Sequence, residues 1–150
     1  MIWIDDVEFF QTLSFDFESK TFDDDYFQFS GIGKWAIDDS QPSDDDGVAA
    51  HSPQNLLPGE NSVMSLEVTV PPGGAKLLFD YAVGLGTFSF YRNGSLLLRV
   101  NAPGGGVKTF SSELDPGKNT FDWRFDAPAI ANLPLSMVWI DNINVIDKYT

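Results

Sequence analysis

Three carboxylates near opposite ends of the chain, Asp16, Glu18 and Asp141, could share one cation. In the closing segment Val-Trp-Ile-Asp-Asn-Ile-Asn-Val (138–145), strict alternation puts Asp141 on the face of Trp139, Ile143 and Val145. That phase turns its carboxylate inward, where an unpartnered charge is costly and needs a cation or several donors. Asp16 and Glu18 end the opening segment Leu-Ser-Phe-Asp-Phe-Glu (13–18), which is expected to lie beside the closing one. Oxygen ligands alone suit calcium, with backbone carbonyls completing a shell of about six to eight. The alternative is a carboxylate at a sheet edge satisfied by backbone amides, and residue types leave both open.

A second constellation could hold a sugar. If Phe88, Phe90, Phe121, Trp123 and Phe125 fill a core, then Ser89, Tyr91, Asp122 and Arg124 face outward, with Asp80 from a neighbouring strand. A tyrosine between a carboxylate and a guanidinium can stack on a sugar ring and hydrogen-bond its hydroxyls. An ordinary solvated face with cross-strand ion pairs is the plainer alternative. Among the tryptophans, Trp35 borders a loop-rich segment and is the one expected to meet a ligand.

Other features carry less chemistry. The runs Asp23-Asp24-Asp25, Asp38-Asp39 and Asp44-Asp45-Asp46-Gly47 lack EF-hand spacing and read as solvated loops. His51 is the single histidine, there is no Gly-x-Ser-x-Gly elbow, and Gly104-Gly105-Gly106 leads into a strand rather than a helix. A glycoside-active enzyme is therefore a remote alternative, since 22 acidic residues supply carboxylate pairs by number alone. Asn93-Gly94-Ser95 matches a glycosylation acceptor but reads better as a tight hairpin turn.

The elements that must position these groups are strands. Period-two alternation runs through 13–17, 63–70, 77–81, 88–90, 96–100, 108–114, 121–125 and 137–146. Turn signals separate them, including Pro71-Pro72-Gly73-Gly74, Asn93-Gly94 and Asp115-Pro116-Gly117. Short strands with such regular punctuation predict an all-β sandwich or barrel. The polar segment 19–61 is expected to form loops over one rim, with Trp35-Ala36-Ile37 as a strand.

Composition narrows the partners. At 150 residues with 43% hydrophobic content the chain can bury one sizeable core. A net charge of −13 argues against nucleic acid and against anionic membrane surfaces. There is no cysteine, hence no disulfide or thiolate site, and no apolar run reaches the ~20 residues of a membrane span. Asp5, Asp6 and Glu8 interrupt any signal-like apolar stretch at the N-terminus.

Taken in order, these motifs resemble the MAM domain and related carbohydrate-binding modules, which are concanavalin-like jelly rolls. Asp16-Phe17-Glu18, Gly31-Ile32-Gly33-Lys34-Trp35, Gly47-Val48-Ala49-Ala50-His51-Ser52, Leu77-Leu78-Phe79-Asp80-Tyr81, Phe90-Tyr91-Arg92-Asn93-Gly94 and Trp139-Ile140-Asp141-Asn142-Ile143 carry the resemblance. It implies a two-sheet antiparallel jelly-roll β-sandwich over residues 13–146, with structural calcium between Glu18 and Asp141. The chain departs from the pattern at Asn142, where the family has a second Asp, and in lacking the cysteines of animal members.

One feature lies outside that pattern. Residues 2–9, Ile-Trp-Ile-Asp-Asp-Val-Glu-Phe, repeat the closing segment 136 positions earlier, counting from Trp3 to Trp139. Residues 1–10 are thus expected to form an extra N-terminal strand, either part of a tandem repeat or a spare strand offered to a neighbour, ahead of a jelly-roll domain at 11–150. The expectation is a non-catalytic module displayed outside the cell or on a virion surface, as in phage structural proteins and large adhesins. Its partners would be a cell-surface or host glycan and neighbouring copies in an assembly. The alternative is a donor-strand fibre or shell subunit with no glycan ligand.

Overall fold

The computed structural model describes residues 13–23, 25–39, 48–101, 106–130 and 136–147. The repeated segment 2–9, Asp24, the Asp44–Asp46 run and Gly104-Gly105 lie outside them. Eleven strands follow in order: β1 (Leu13–Phe15), β2 (Phe27–Gly31), β3 (Ala36–Asp38), β4 (Ala49–His51), β5 (Asn61–Val70), β6 (Ala75–Val83), β7 (Thr87–Arg92), β8 (Ser95–Asn101), β9 (Lys108–Leu114), β10 (Gly117–Asp126) and β11 (Val138–Asp147). No helix occurs among the described residues, so none is long and apolar enough to cross a membrane.

Two antiparallel sheets stack face to face. Sheet A runs β3-β4-β11-β6-β9, with β1 also paired to β11, and sheet B runs β2-β5-β10-β7-β8. Only β3–β4 and β7–β8 are successive strands that remain in one sheet; every other connection crosses between sheets. This is the jelly-roll sandwich that the resemblance implies.

The layers are sealed by aromatic rings. Phe79 of β6 meets Trp123 of β10 edge-on, with centroids 5.6 Å apart at 79°, and Phe90 of β7 lies 4.8 Å from Phe79. Phe88, Phe121 and Phe125 are fully buried beside them, as the alternation predicts. Trp123 Nε1 is the one buried side-chain polar atom among the described residues without a hydrogen-bond partner. Nothing in its surroundings accounts for this.

The Asn93-Gly94 turn is realised between β7 and β8. Asn93 at φ 50° and Gly94 at φ 82° supply the two left-handed residues a two-residue hairpin needs.

Segment 19–61 departs from the loop expectation. It contains β2, β3 and β4, which extend both sheets at their edges. Trp35 is a further correction. It precedes β3 rather than joining it, is 5% exposed, and donates from Nε1 to Ser62 Oγ at 3.1 Å. It is a core residue, so it is not available to a ligand.

Candidate functional site

The outer face of sheet B presents a shallow polar groove. Phe88, Phe90, Phe121, Trp123 and Phe125 point inward, so the alternating residues Thr87, Ser89, Tyr91, Asp122, Arg124 and Asp126 lie on the opposite face. The ladder places Asp122 opposite Tyr91 on one side and Ser65 on the other, and Arg124 opposite Ser89 and Val63. Sequence reasoning therefore brought Tyr91, Asp122 and Arg124 together correctly.

Asp80 does not join them. It belongs to β6 in sheet A, where its carboxylate accepts from Thr109 Oγ1 at 2.6 Å and Asn142 Nδ2 at 2.9 Å. Adjacent strands in sequence, β6 and β7, lie in different sheets, and this crossover separates Asp80 from Tyr91.

The groove has two lobes. One, of about 290 Å³, is lined by Ser30, Val63, Tyr91, Gly94, Asp122 and Arg124. The other, of about 570 Å³, is lined by Thr87, Ser89, Tyr91, Arg99, Asn101, Arg124 and Asp126. Tyr91 and Arg124 border both, so the tyrosine stands at their junction. Asp122 accepts a hydrogen bond from Ser65 Oγ. Arg124 grips Asp126 through Nε and Nη2, at 3.0 and 2.9 Å, and these bonds raise its pKa above the ordinary arginine value. Arg99 and Asn101, on β8, escaped the sequence reading; only the β7–β8 register shows that Arg99 opposes Ser89.

The carboxylates gather elsewhere, where β1 meets β11. Phe15 pairs with Ile143, which brings the turn carrying Asp16 and Glu18 close to Asp141. The phase expected for Asp141 is corrected by a β-bulge. Between Asp141 and Asn144 the register with β6 shifts, and Asn142 takes φ 50°. Trp139 and Asp141 consequently share the outer face of sheet A, while Val138, Ile140, Ile143 and Val145 enter the core. Trp139 packs instead with Ala49, Ala82 and Met137 in a small cluster of its own.

Asp141 is nonetheless only 7% exposed. Burial pushes its carboxyl up to about 7, opposed by the Asn142 amide and reinforced by the negative charges of Asp80, Glu18 and Asp16. Its Oδ1 accepts from Asn142 N at 2.8 Å, and Asp16 Oδ1 accepts from Glu18 N at 3.0 Å. Between Asp16 and Glu18, Phe17 sits at φ 61°, a strained position for a bulky side chain. No Lys or Arg ion-pairs with these four carboxylates among the described residues. Nor do three His, Cys, Asp or Glu among them stand close enough, as they lie, to hold a metal.

His51 is engaged structurally. Its Nδ1 lies 2.7 Å from Ser52 O and its Nε2 2.9 Å from Asp38 Oδ2, so it ties β4 to β3.

The sandwich shares its jelly-roll fold with solved structures that include adhesin domains and carbohydrate-binding modules. The K1 cleaved adhesin domain of Lys-gingipain from Porphyromonas gingivalis W83 superposes with a TM-score of 0.66 at 15% identity, covering 90% of this chain and 97% of that one. TmCBM61, solved with β-1,4-galactotriose, gives 0.65 at 16%, covering 89% and 94%. The CBM22-2 xylan-binding domain of Paenibacillus barcinonensis Xyn10C gives 0.59 at 8%, covering 91% and 99%. At these identities the likeness is one of fold. No family model matches the chain, and no curated protein matches it.

Proposed function

We propose that this chain is a non-catalytic saccharide-binding module displayed outside the cell, in a large adhesin or on a virion, and that the groove on sheet B is its binding surface. The observation that carries this reading is Tyr91, an aromatic ring standing between two polar lobes on a regular sheet face. Stacking on sugar rings needs a fixed aromatic platform flanked by hydrogen-bonding groups, and Asp122, Arg124 and Asn101 supply the latter. The fold is shared with domains described as xylan-binding and as bound to a galactotriose. Asp122 is held by Ser65 and Asp126 by Arg124, which suits them to orienting sugar hydroxyls.

Polysaccharide pull-down tests this reading. Wild type is expected to be retained by at least one plant, algal or bacterial polymer, and Tyr91→Ala to lose about tenfold or more in affinity. Retention by none, or an unaffected Tyr91→Ala variant, removes the saccharide reading.

Asp16, Glu18 and Asp141 are also read as ligands of a structural calcium ion. Support comes from clustered negative charge, two left-handed residues beside the ligands, and a buried carboxyl that a cation would ionise. Glu18 is exposed and would have to swing inward on binding. Calcium at a hundredfold excess over its Kd should add about 2.7 kcal/mol of stability. An unchanged melting curve on going from EDTA to calcium defeats the assignment.

The bulge favours assembly as a second reading. Residues 2–9 reproduce the shifted phase of β11: Ile2, Ile4, Val7 and Phe9 match Val138, Ile140, Ile143 and Val145, the residues that β11 sends into the core. Asp6 matches Asn142, the left-handed bulge residue, and Asp is among the residues that tolerate this conformation. A segment with that pattern is suited to closing a second sheet A. Deleting residues 1–10 should then lower the mass in solution or the melting temperature; an unchanged monomer with unchanged melting excludes it.

A further inference from the structure

We infer that the larger lobe of the groove, around Arg99, is a subsite for an anionic sugar residue, so that the preferred polymer is acidic rather than neutral. This rests on the saccharide reading above and deepens it.

Three side chains form a row across the ladder: Arg124 on β10, Ser89 on β7 and Arg99 on β8. Ser89 is 1% exposed, and Arg99 Nε donates to its Oγ at 3.3 Å. One edge of the Arg99 guanidinium is thereby anchored. No carboxylate pairs with it among the described residues.

Arg124 differs, since Asp126 already neutralises it. The lobe therefore holds two arginines and one aspartate, a positive balance within a chain of net charge −13. A planar guanidinium with free donors is shaped to take a carboxylate or sulfate through paired bonds. Thr87 and Asn101, themselves hydrogen-bonded at 3.2 Å, supply polar groups for neighbouring hydroxyls, and Tyr91 supplies the stacking surface.

The smaller lobe carries Asp122 and no unpaired cation, so an acidic sugar is disfavoured there. The two lobes thus divide a chain of alternating or mixed charge. Long-range repulsion from the acidic chain does not prevent this. At physiological ionic strength the screening length is about 8 Å, and the contact is made within it.

Isothermal titration at physiological salt with polygalacturonate and with its fully methyl-esterified form separates charge from sugar identity. Wild type is expected to prefer the acid by about tenfold. Arg99→Gln should abolish that preference, bringing affinity for the acid down to that for the ester, and Tyr91→Ala should weaken both. Dextran sulfate against dextran forms a second pair that distinguishes sulfate from carboxylate as the source of the anion. A preference for charge in either pair that Arg99→Gln removes supports the inference. Equal binding of charged and neutral polymers, or a preference that survives Arg99→Gln, overturns it and leaves the saccharide reading standing. Binding of none of the four polymers overturns the inference, and the saccharide reading falls with it only where the wider pull-down retains nothing.

Discussion

At the scale of single residues, Asp141 makes the clearest prediction. Its carboxyl sits at about 7 in the folded chain against 3.8 for an ordinary aspartate. The folded state therefore holds this proton more tightly than the unfolded one. In chelator, stability should fall as pH rises from about 4 to about 7 and level off above, once both states are deprotonated. Asp141→Asn removes that part of the slope and should raise stability at pH 8 by about 1–3 kcal/mol, read from urea unfolding. A slope that persists in the variant would assign the effect to other groups. Under the calcium proposal, added calcium should reverse the sign of the substitution, because a cation needs the ionised carboxylate and binds less well below pH 7. Trp123 offers a second test. Its unpartnered Nε1 is already a cost, so Trp123→Phe should stay within about 1 kcal/mol of wild type, whereas Trp123→Ala should lose about 3–5 kcal/mol.

Backbone geometry governs the element scale. Gly86, before β7, has φ 123°, and a Cβ there would meet Phe125 Cζ at 2.5 Å. Gly86→Ala combines conformational strain with overpacking and should cost about 2 kcal/mol or more by thermal unfolding. Gly59 also has a positive φ, 87°, yet its Cβ would meet nothing within 4 Å. Gly59→Ala should therefore cost about 1 kcal/mol, from backbone strain alone. Equal losses at the two sites would mean that Phe125 yields freely.

The same scale shows what the sequence could convey. Long strands such as β5 and β10 were legible because each alternates over most of its ten residues, far enough for period two to stand out. Of the three-residue strands, β3 was read one residue early, as 35–37, and β4 was missed, since Ala49–His51 is too short to show a period. Asp141 was recognised as a buried carboxylate but given the wrong face. The bulge at Asn142 inverts the alternation, and Asn in a strand gives no warning of which residue will bulge. Asp80 was misplaced for a topological reason, because sheet membership is decided by pairing and not by order along the chain. Trp35 was misread because its burial depends on Ser62, a hydrogen-bond partner 27 positions away.

For the whole molecule, the crossing connections put the two proposed sites on different sheets. Tyr91, Asp122 and Arg124 come from β7 and β10 of sheet B, while Asp141 and its neighbours belong to sheet A and the turn after β1. Ion binding and saccharide binding should consequently be independent to first order, with distant sites contributing additively. Asp141→Asn is expected to leave saccharide affinity within about twofold, and Tyr91→Ala to leave the calcium-dependent melting shift unchanged. The central claim is that the outer face of sheet B receives the saccharide. Its most direct test is a heteronuclear NMR titration of the full chain with an oligosaccharide of a polymer it retains. Shifts should concentrate at Val63, Ser65, Ser89, Tyr91, Arg99, Asp122 and Arg124. Shifts concentrated instead at the exposed loop residues Ile32, Leu57 and Ile130, with the sheet silent, would contradict it.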